Sequence, residues 1–247
     1  VTAAMQGQLA TAAITQTNFA TAQAAAAAGG GGASGGGAAG SSGGASGGSA
    51  AGAGAGGGIS ATTIGIVGAG QMGSGIAHVV ALAGYRVLMN DLAKERVDAA
   101  MALIERNMGR QVTRGMIKDQ DAKAAVARIG YAAGFADFKD CDLVIEAATE
   151  EEAVKRKIFA ALCPHLKADA MVASNTSSIS ITRLAASSDR PEQFIGIHFM
   201  NPVPVMQLVE LIRGIATGDK TFGLSRRFVE SLGKTTAVSE DFPAFIV

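Results

Sequence analysis

The chain contains no Trp, two Tyr, two Cys and five Pro in 247 residues. Two cysteines, Cys141 and Cys163, are too few for a disulfide framework, and reduced thiols in a cytoplasmic protein are the expected state. His78, His165 and His198 are isolated from one another and from both cysteines, so no metal signature is present. Residues 1–60 lack Asp, Glu, Lys, Arg and His altogether. The 21 basic and 21 acidic residues all fall in 61–247 and cancel. A neutral balance gives no case for nucleic acid or an anionic membrane as partner. Residues 1–28 lack the basic start and strongly apolar stretch of a signal peptide, and the sustained large apolar residues of a membrane span.

These absences divide the chain. Residues 1–28 are rich in Ala, Thr and Gln, and Ala favours helix, so a short helix over Gly7–Ala28 is one expectation. Residues 29–60 are almost wholly Gly, Ala and Ser, which cannot bury enough apolar surface to offset the entropy of ordering, so a flexible linker is expected. Val1 in place of Met suggests a fragment, or a mis-joined reading frame. Residues 61–247 are ample for one α/β domain.

The most informative stretch is Thr62–Asp91. An apolar β-branched run, Ile64–Val67, leads into Gly68, Gly70 and Gly73, spaced G-x-G-x-x-G. A helical run over Met72–Ala83 follows, then Gly84, a second apolar run over Tyr85–Met89, and Asp91. In a strand–turn–helix–strand unit of this kind Gly68 permits the sharp turn, Gly70 lets a pyrophosphate approach the backbone, and Gly73 lets helix and strand pack closely. The helix N-terminus offers unpaired N–H groups to phosphates. Asp91 is placed to accept hydrogen bonds from the ribose hydroxyls and would repel a 2′-phosphate, which favours NAD over NADP.

Beyond Asp91, helices are expected over Lys94–Arg114, Lys118–Ala127, Glu150–Leu166 and Gly218–Leu232. Val97, Met101, Ile104, Met108 and Val112 supply the apolar stripe of the first. Strands are expected over 128–131, 143–147, 171–174, 194–199, 205–211 and 235–238. Such alternation argues for a doubly wound, mostly parallel Rossmann-type sheet. Ligands of these sheets bind at the carboxyl ends of the strands. Those ends carry Thr149-Glu150, Asn175-Thr176-Ser177-Ser178, and His198 with Asn201, and Glu210 follows His198 by 12 residues. Hydroxyl, imidazole and carboxylate together suit alcohol–ketone interconversion: a histidine takes the hydroxyl proton and a carboxylate orients the ring. Each residue also has an ordinary reading. His198 fits a satisfied core histidine, Glu210 an exposed strand position alternating with Leu208, and Asn175–Ser178 a helix N-cap.

Residues 62–247 resemble the NAD-binding domain of the 3-hydroxyacyl-CoA dehydrogenase family, particularly its 3-hydroxybutyryl-CoA dehydrogenases. GIVGAGQMGSGIAHV, VIEAATEEEAVKRKIF, ASNTSSISIT and FIGIHFMNPVPVMQLVELI carry the likeness. It implies reversible NAD-dependent oxidation of a short-chain (S)-3-hydroxyacyl-CoA in fatty acid metabolism, with His198 as general base, Glu210 as its partner and Ser177 hydrogen-bonding the reacting oxygen. It implies NAD contacts at Gly68, Gly70, Gln71, Met72, Gly73, Asp91, Glu150, Lys155, Ser177 and Asn201. Contacts to an acyl-CoA substrate would fall at Ser177, Asn107 and Arg114, although Asn107 and Arg114 depart from the family's Ser and Lys. Ala244 stands where the motif D-x-P-G-F has Gly, and the motif stops at Val247. The family's helical C-terminal domain, on which a homodimer would depend, lies beyond that point. A fragment alone is expected to hold cofactor without completing the substrate site. The competing readings are a non-catalytic, crystallin-like relative, or a 3-hydroxyisobutyrate-type dehydrogenase sharing the first glycine motif.

Overall fold

The computed structural model describes residues 63–242. The expectations for 1–28 and 29–60, and for Ala244, lie outside them. Eight strands form one sheet: β1 (Thr63–Val67), β2 (Arg86–Asn90), β3 (Ile129–Tyr131), β4 (Leu143–Glu146), β5 (Met171–Ser174), β6 (Phe194–Phe199), β7 (Leu208–Arg213) and β8 (Thr235–Glu240). Their spatial order is β3-β2-β1-β4-β5-β6-β7-β8. Every neighbouring pair is parallel except β6 and β7, which run antiparallel. The helices are α1 (Gln71–Leu82), α2 (Lys94–Thr113), α3 (Asp119–Val126), α4 (Glu152–Leu162), α5 (Ile181–Ala185) and α6 (Asp219–Ser231).

Both faces of the sheet are covered, as near-continuous apolar strands require. One core joins Ile64, Ile66, Leu143, Ile145 and Ile197 to Ile76 and Val80 of α1, Ile104 and Met108 of α2, and Phe228 of α6. The opposite core joins Val144, Val172 and Phe194 to Ile158 and Phe159 of α4 and Leu184 of α5. Alternate residues of each central strand therefore feed different layers, as a period of two demands. On α2, Val97, Ile104 and Met108 are buried, while Met101 and Val112 pack at the margin of that core.

Three expectations needed correction. The strand read from Val205 begins at Leu208, because Pro202–Val205 form a turn closed by Val205 N and Met206 N donating to Pro202 O. The helix read over 150–166 is α4 followed by a 3-10 turn at Cys163–His165, where Pro164 cannot donate to the helical ladder. Helix α5, which the sequence reading missed, starts not at 175–178 but after Ser180, whose hydroxyl accepts from Arg183 N.

Candidate active site

The carboxyl end of β1 turns at Gly68, whose φ of +103° suits glycine. A Cβ there would stand 2.6 Å from Ala147 O, and one at Gly73 would stand 1.8 Å from Gly68 O. A Cβ at Gly70 would meet nothing within 4 Å, so the missing side chain leaves open space beside the turn. Gly70 caps α1 without a side-chain bond, and the first turn of that helix carries no acid. Its N–H groups and the positive end of its dipole face outward, with exposed Gln71 and half-buried Met72 beside them. Asp91, just past β2, turns back to the same place: Oδ2 accepts from Ala69 N at 2.7 Å and Oδ1 from Leu92 N at 2.7 Å. One carboxylate thus shapes the glycine turn and holds negative charge beside it.

On the far side of the turn lies the titratable group. His198 and Glu210 are directly opposed in the β6–β7 ladder. His198 Nδ1 lies 2.8 Å from Glu210 Oε2, and His198 Nε2 lies 3.1 Å from Ser177 Oγ. Glu210 is 0% exposed, which removes the reading of it as a surface strand residue. Its Oε1 has no hydrogen-bond partner among the described residues. In the tautomer whose Nδ1–H donates to the carboxylate, Nε2 carries the lone pair and accepts from the Ser177 hydroxyl. His198 is buried and has a partner at each ring nitrogen, one of them the hydroxyl of exposed Ser177.

That loop is anchored by a second carboxylate. Glu150 Oε1 accepts from Thr176 Oγ1 at 2.5 Å, Ser177 N at 2.7 Å and Ser178 N at 3.2 Å. Asn175 Oδ1 accepts from Phe199 N, tying the same segment to the strand that bears His198. Gln71 Nε2 donates to Asn201 Oδ1 at 3.0 Å and links the first turn of α1 to the segment after β6. Gly68–Gly73, Asp91, Glu150, Ser177, His198, Asn201 and Glu210 are so brought to one edge of the sheet. Lys155 is in this region but only 1% exposed, its Nζ 2.7 Å from Glu146 Oε2 and 3.8 Å from Glu150 Oε2. Asn107 and Arg114 lie apart on α2, the former half-buried, the latter exposed at its C-terminus. Neither side chain is bonded to the Ser177–His198–Glu210 group.

Sequence reasoning missed Glu146 and Asp241 as members of the site's framework, and gave Thr176 no role of its own beyond its place in the segment 175–178. Glu146 left a signal: an acid inside the apolar strand LVIEA, flanked by covered faces, must be paired. Asp241 accepts from Ser180 Oγ, Ile181 N and Thr182 N, capping α5 from 60 residues away. Burial alone would raise its carboxyl pKa, but these bonds together hold it below the ordinary value. The thiols take no part. Burial pushes Cys141 up to about 12 and Cys163 up to about 11, which leaves both protonated and inert. His78 hydrogen-bonds to Gln111, and burial lowers its pKa. Among the described residues no cluster suits a metal ion, and no helix is long and apolar enough to cross a membrane.

A strand order of 3-2-1-4-5-6 with a glycine turn at the first strand and an acid at the second defines a dinucleotide-binding domain of the Rossmann class. The family profile described as 3-hydroxyacyl-CoA dehydrogenase, NAD binding domain matches residues 63–242, and the chain belongs to that family. It is 61% identical over 184 residues to the 3-hydroxybutyryl-CoA dehydrogenase of Bradyrhizobium diazoefficiens, covering 74% of this chain and 63% of that one. It is 46% identical to a probable 3-hydroxybutyryl-CoA dehydrogenase of Deinococcus radiodurans, covering 74% of this chain and 65% of that one. The crystal structure of (S)-3-hydroxybutyryl-CoA dehydrogenase from Ralstonia eutropha superposes with a TM-score of 0.75 at 42% identity, covering 76% of this chain and 66% of that one. The chain thus spans a little under two thirds of the length of these relatives.

Proposed function

We propose that this chain carries the cofactor site and proton-transfer group of an NAD-dependent dehydrogenase that interconverts (S)-3-hydroxyacyl-CoA and 3-ketoacyl-CoA, with short chains such as 3-hydroxybutyryl-CoA. The observation that supports it is the continuous Ser177–His198–Glu210 hydrogen-bonded chain beside an open glycine turn. The names of the similar proteins agree with this reading. Fatty acid metabolism in the cytoplasm, and a homodimer assembled by the full-length protein, complete the proposal.

Bound NAD supplies a hydride acceptor. The glycine turn and the N-terminus of α1 fit the pyrophosphate, Asp91 the ribose hydroxyls, and Glu150, Ser177 and Asn201 line the remaining path. Lys155 lies on that path between Glu146 and Glu150. His198 Nε2 takes the proton of the substrate hydroxyl as the carbon loses hydride, and the Ser177 hydroxyl holds the same oxygen. Glu210, fully buried beside the ring, stabilises the imidazolium that forms. In the reverse direction the imidazolium returns its proton to the ketone oxygen. Asn107 and Arg114 on α2 are proposed contacts for the CoA moiety.

The test is a spectrophotometric assay of the full-length gene product with 3-hydroxybutyryl-CoA and NAD. NADH formation dependent on both substrates is expected. No oxidation of any 3-hydroxyacyl-CoA by protein that binds NADH would overturn the reading.

A further inference from the structure

Strands β6 and β7 are antiparallel neighbours, which a tight hairpin could join, yet residues 200–207 intervene. A connection of that length needs support of its own, because carbonyls it turns inward must find donors. On one side it rests on α1: a Cβ added to Gly75 would stand 2.9 Å from Val203 Cβ, so helix and turn are in close contact, and Val203 is buried. On the other side it is gripped from the start of β8. Lys234 Nζ donates to Val203 O at 2.6 Å and to Met206 O at 2.7 Å, and Thr235 N donates to Gln207 O at 2.9 Å. Lys234 is 8% exposed, and among the described residues it makes no ion pair. Burial lowers its pKa. A buried amine that meets only carbonyls has no opposite charge to offset its lost hydration, so general stability is a weak reason for it. Its place offers a better one. The turn it grips begins at Asn201, whose Oδ1 accepts from Gln71 Nε2 at the rim of the glycine turn.

The geometry points to Lys234 as a positioning residue for Asn201: by holding Val203 O and Met206 O together it fixes the turn on α1, and the turn sets Asn201 against Gln71 on the path proposed for the cofactor. This inference rests on the proposed dehydrogenase reading for its kinetic consequence, but not for its structural one. Lys234→Met keeps the length of the side chain and removes the donors. Lys234→Gln is the milder variant, since its amide still donates but falls one bond short.

In the full-length protein without cofactor, the side-chain amide resonances of Gln71 report the contact directly by NMR, and Asn201→Ala, which removes the acceptor, marks where they lie once it is lost. Lys234→Met is expected to move them most of the way to that position, and Lys234→Gln part of the way. Val205 N and Met206 N, which close the turn on Pro202 O, should exchange about tenfold or more faster while β6 and β7 keep wild-type protection, a local opening and not a global one. Gly75→Ala pushes on the same turn from α1 with Lys234 intact, and should move the Gln71 resonances in the same direction. In the steady state Lys234→Met should raise the KM for NAD about 3- to 10-fold, the scale of one net hydrogen bond, as Asn201→Ala does. Its kcat should stay within about threefold, because the ladder and not the turn sets His198 against Glu210. Gln71 resonances that stay at the wild-type position in whichever Lys234 variant folds would overturn the inference, even with a lowered melting temperature, and so would a fall in kcat with the KM for NAD unchanged. If the wild-type protein oxidises no 3-hydroxyacyl-CoA, the proposed function fails, and the NMR measurement still decides the role of Lys234.

Discussion

His198 and Glu210 occupy one rung of an antiparallel ladder, so their pairing is set by strand register and needs no loop to deliver it. A side chain on a central strand has little freedom, which keeps Nδ1 on the carboxylate and Nε2 towards Ser177. In the full-length protein, His198→Ala is expected to lower turnover about 10²- to 10⁴-fold or more, the usual scale for removing a general base. Its NADH affinity should stay near wild type, because the glycine turn and Asp91 are untouched. Glu210→Gln keeps the shape and loses the charge, so turnover should fall here too, while stopped-flow NADH binding stays constant. Near-normal turnover of His198→Ala would refute its role as base. Asp91 supplies a separate prediction. Its carboxylate, fixed by Ala69 N and Leu92 N, cannot swing away from a 2′-phosphate. NADPH is expected to bind at least about tenfold more weakly than NADH, roughly 1.4 kcal/mol. Equal affinities in a fluorescence titration would remove the assignment. The sequence already showed these residues because each sits beside a signal of its own: Asp91 after an apolar run, His198 and Glu210 within two. What it could not show was direction. Nothing in FIGIHF or LVELI states that the two strands run opposite, and only that reversal makes residues 12 apart face each other.

At the scale of elements, the long periodic helices and the central strands were legible, and the short or remotely held ones were not. Helix α5 spans five residues, too few for periodicity to declare it. It is held in part by Asp241, which arrives from the end of β8 to accept from Ser180, Ile181 and Thr182. No local pattern announces a cap supplied 60 residues downstream. Glu146 was overlooked for a related reason, since its partners Lys155 and Ser174 come from other elements. The cap makes a pH prediction with a definite sign. The folded pKa of Asp241 is depressed, so the unfolded chain takes up this proton at higher pH than the folded one. The stabilisation is complete above the unfolded value of about 3.9 and is lost as pH falls through the folded value. Asp241→Asn should therefore be less stable than wild type at neutral pH, by a gap that narrows below about pH 4. Urea denaturation at a series of pH values checks this, and a gap constant down to acid pH would show that the charge contributes nothing. At the other end of the site, Gly73→Ala places a carbon where Gly68 O already stands, so the turn must open. Lost NADH binding with only a modest fall in melting temperature is expected.

Across the described residues, the proposed function divides binding and chemistry along the sheet. The half formed by β1–β3 and α1 presents the turn and Asp91, and the half formed by β4–β7 presents Glu150, Ser177, His198 and Glu210. Gln71 to Asn201 is the hydrogen bond that joins their rims. Both halves stand on one continuous sheet with an apolar layer on each side. The acyl-CoA partner is a different matter. Ser177 is exposed, and Asn107 and Arg114 lie off on α2 with no side-chain bond to the site. In the Bradyrhizobium relative, more than a third of the length falls outside the region this chain matches. Residues 1–247 by themselves are therefore expected to bind NADH but to turn over 3-hydroxybutyryl-CoA at close to background. The full-length gene product should bind NADH with similar affinity and turn over. Isothermal titration and the absorbance assay, run on both proteins, separate the two properties. Robust turnover by residues 1–247 would show that this sheet edge alone completes the substrate site, and failure of that chain to bind NADH would show that the turn needs support from beyond the strands that carry it.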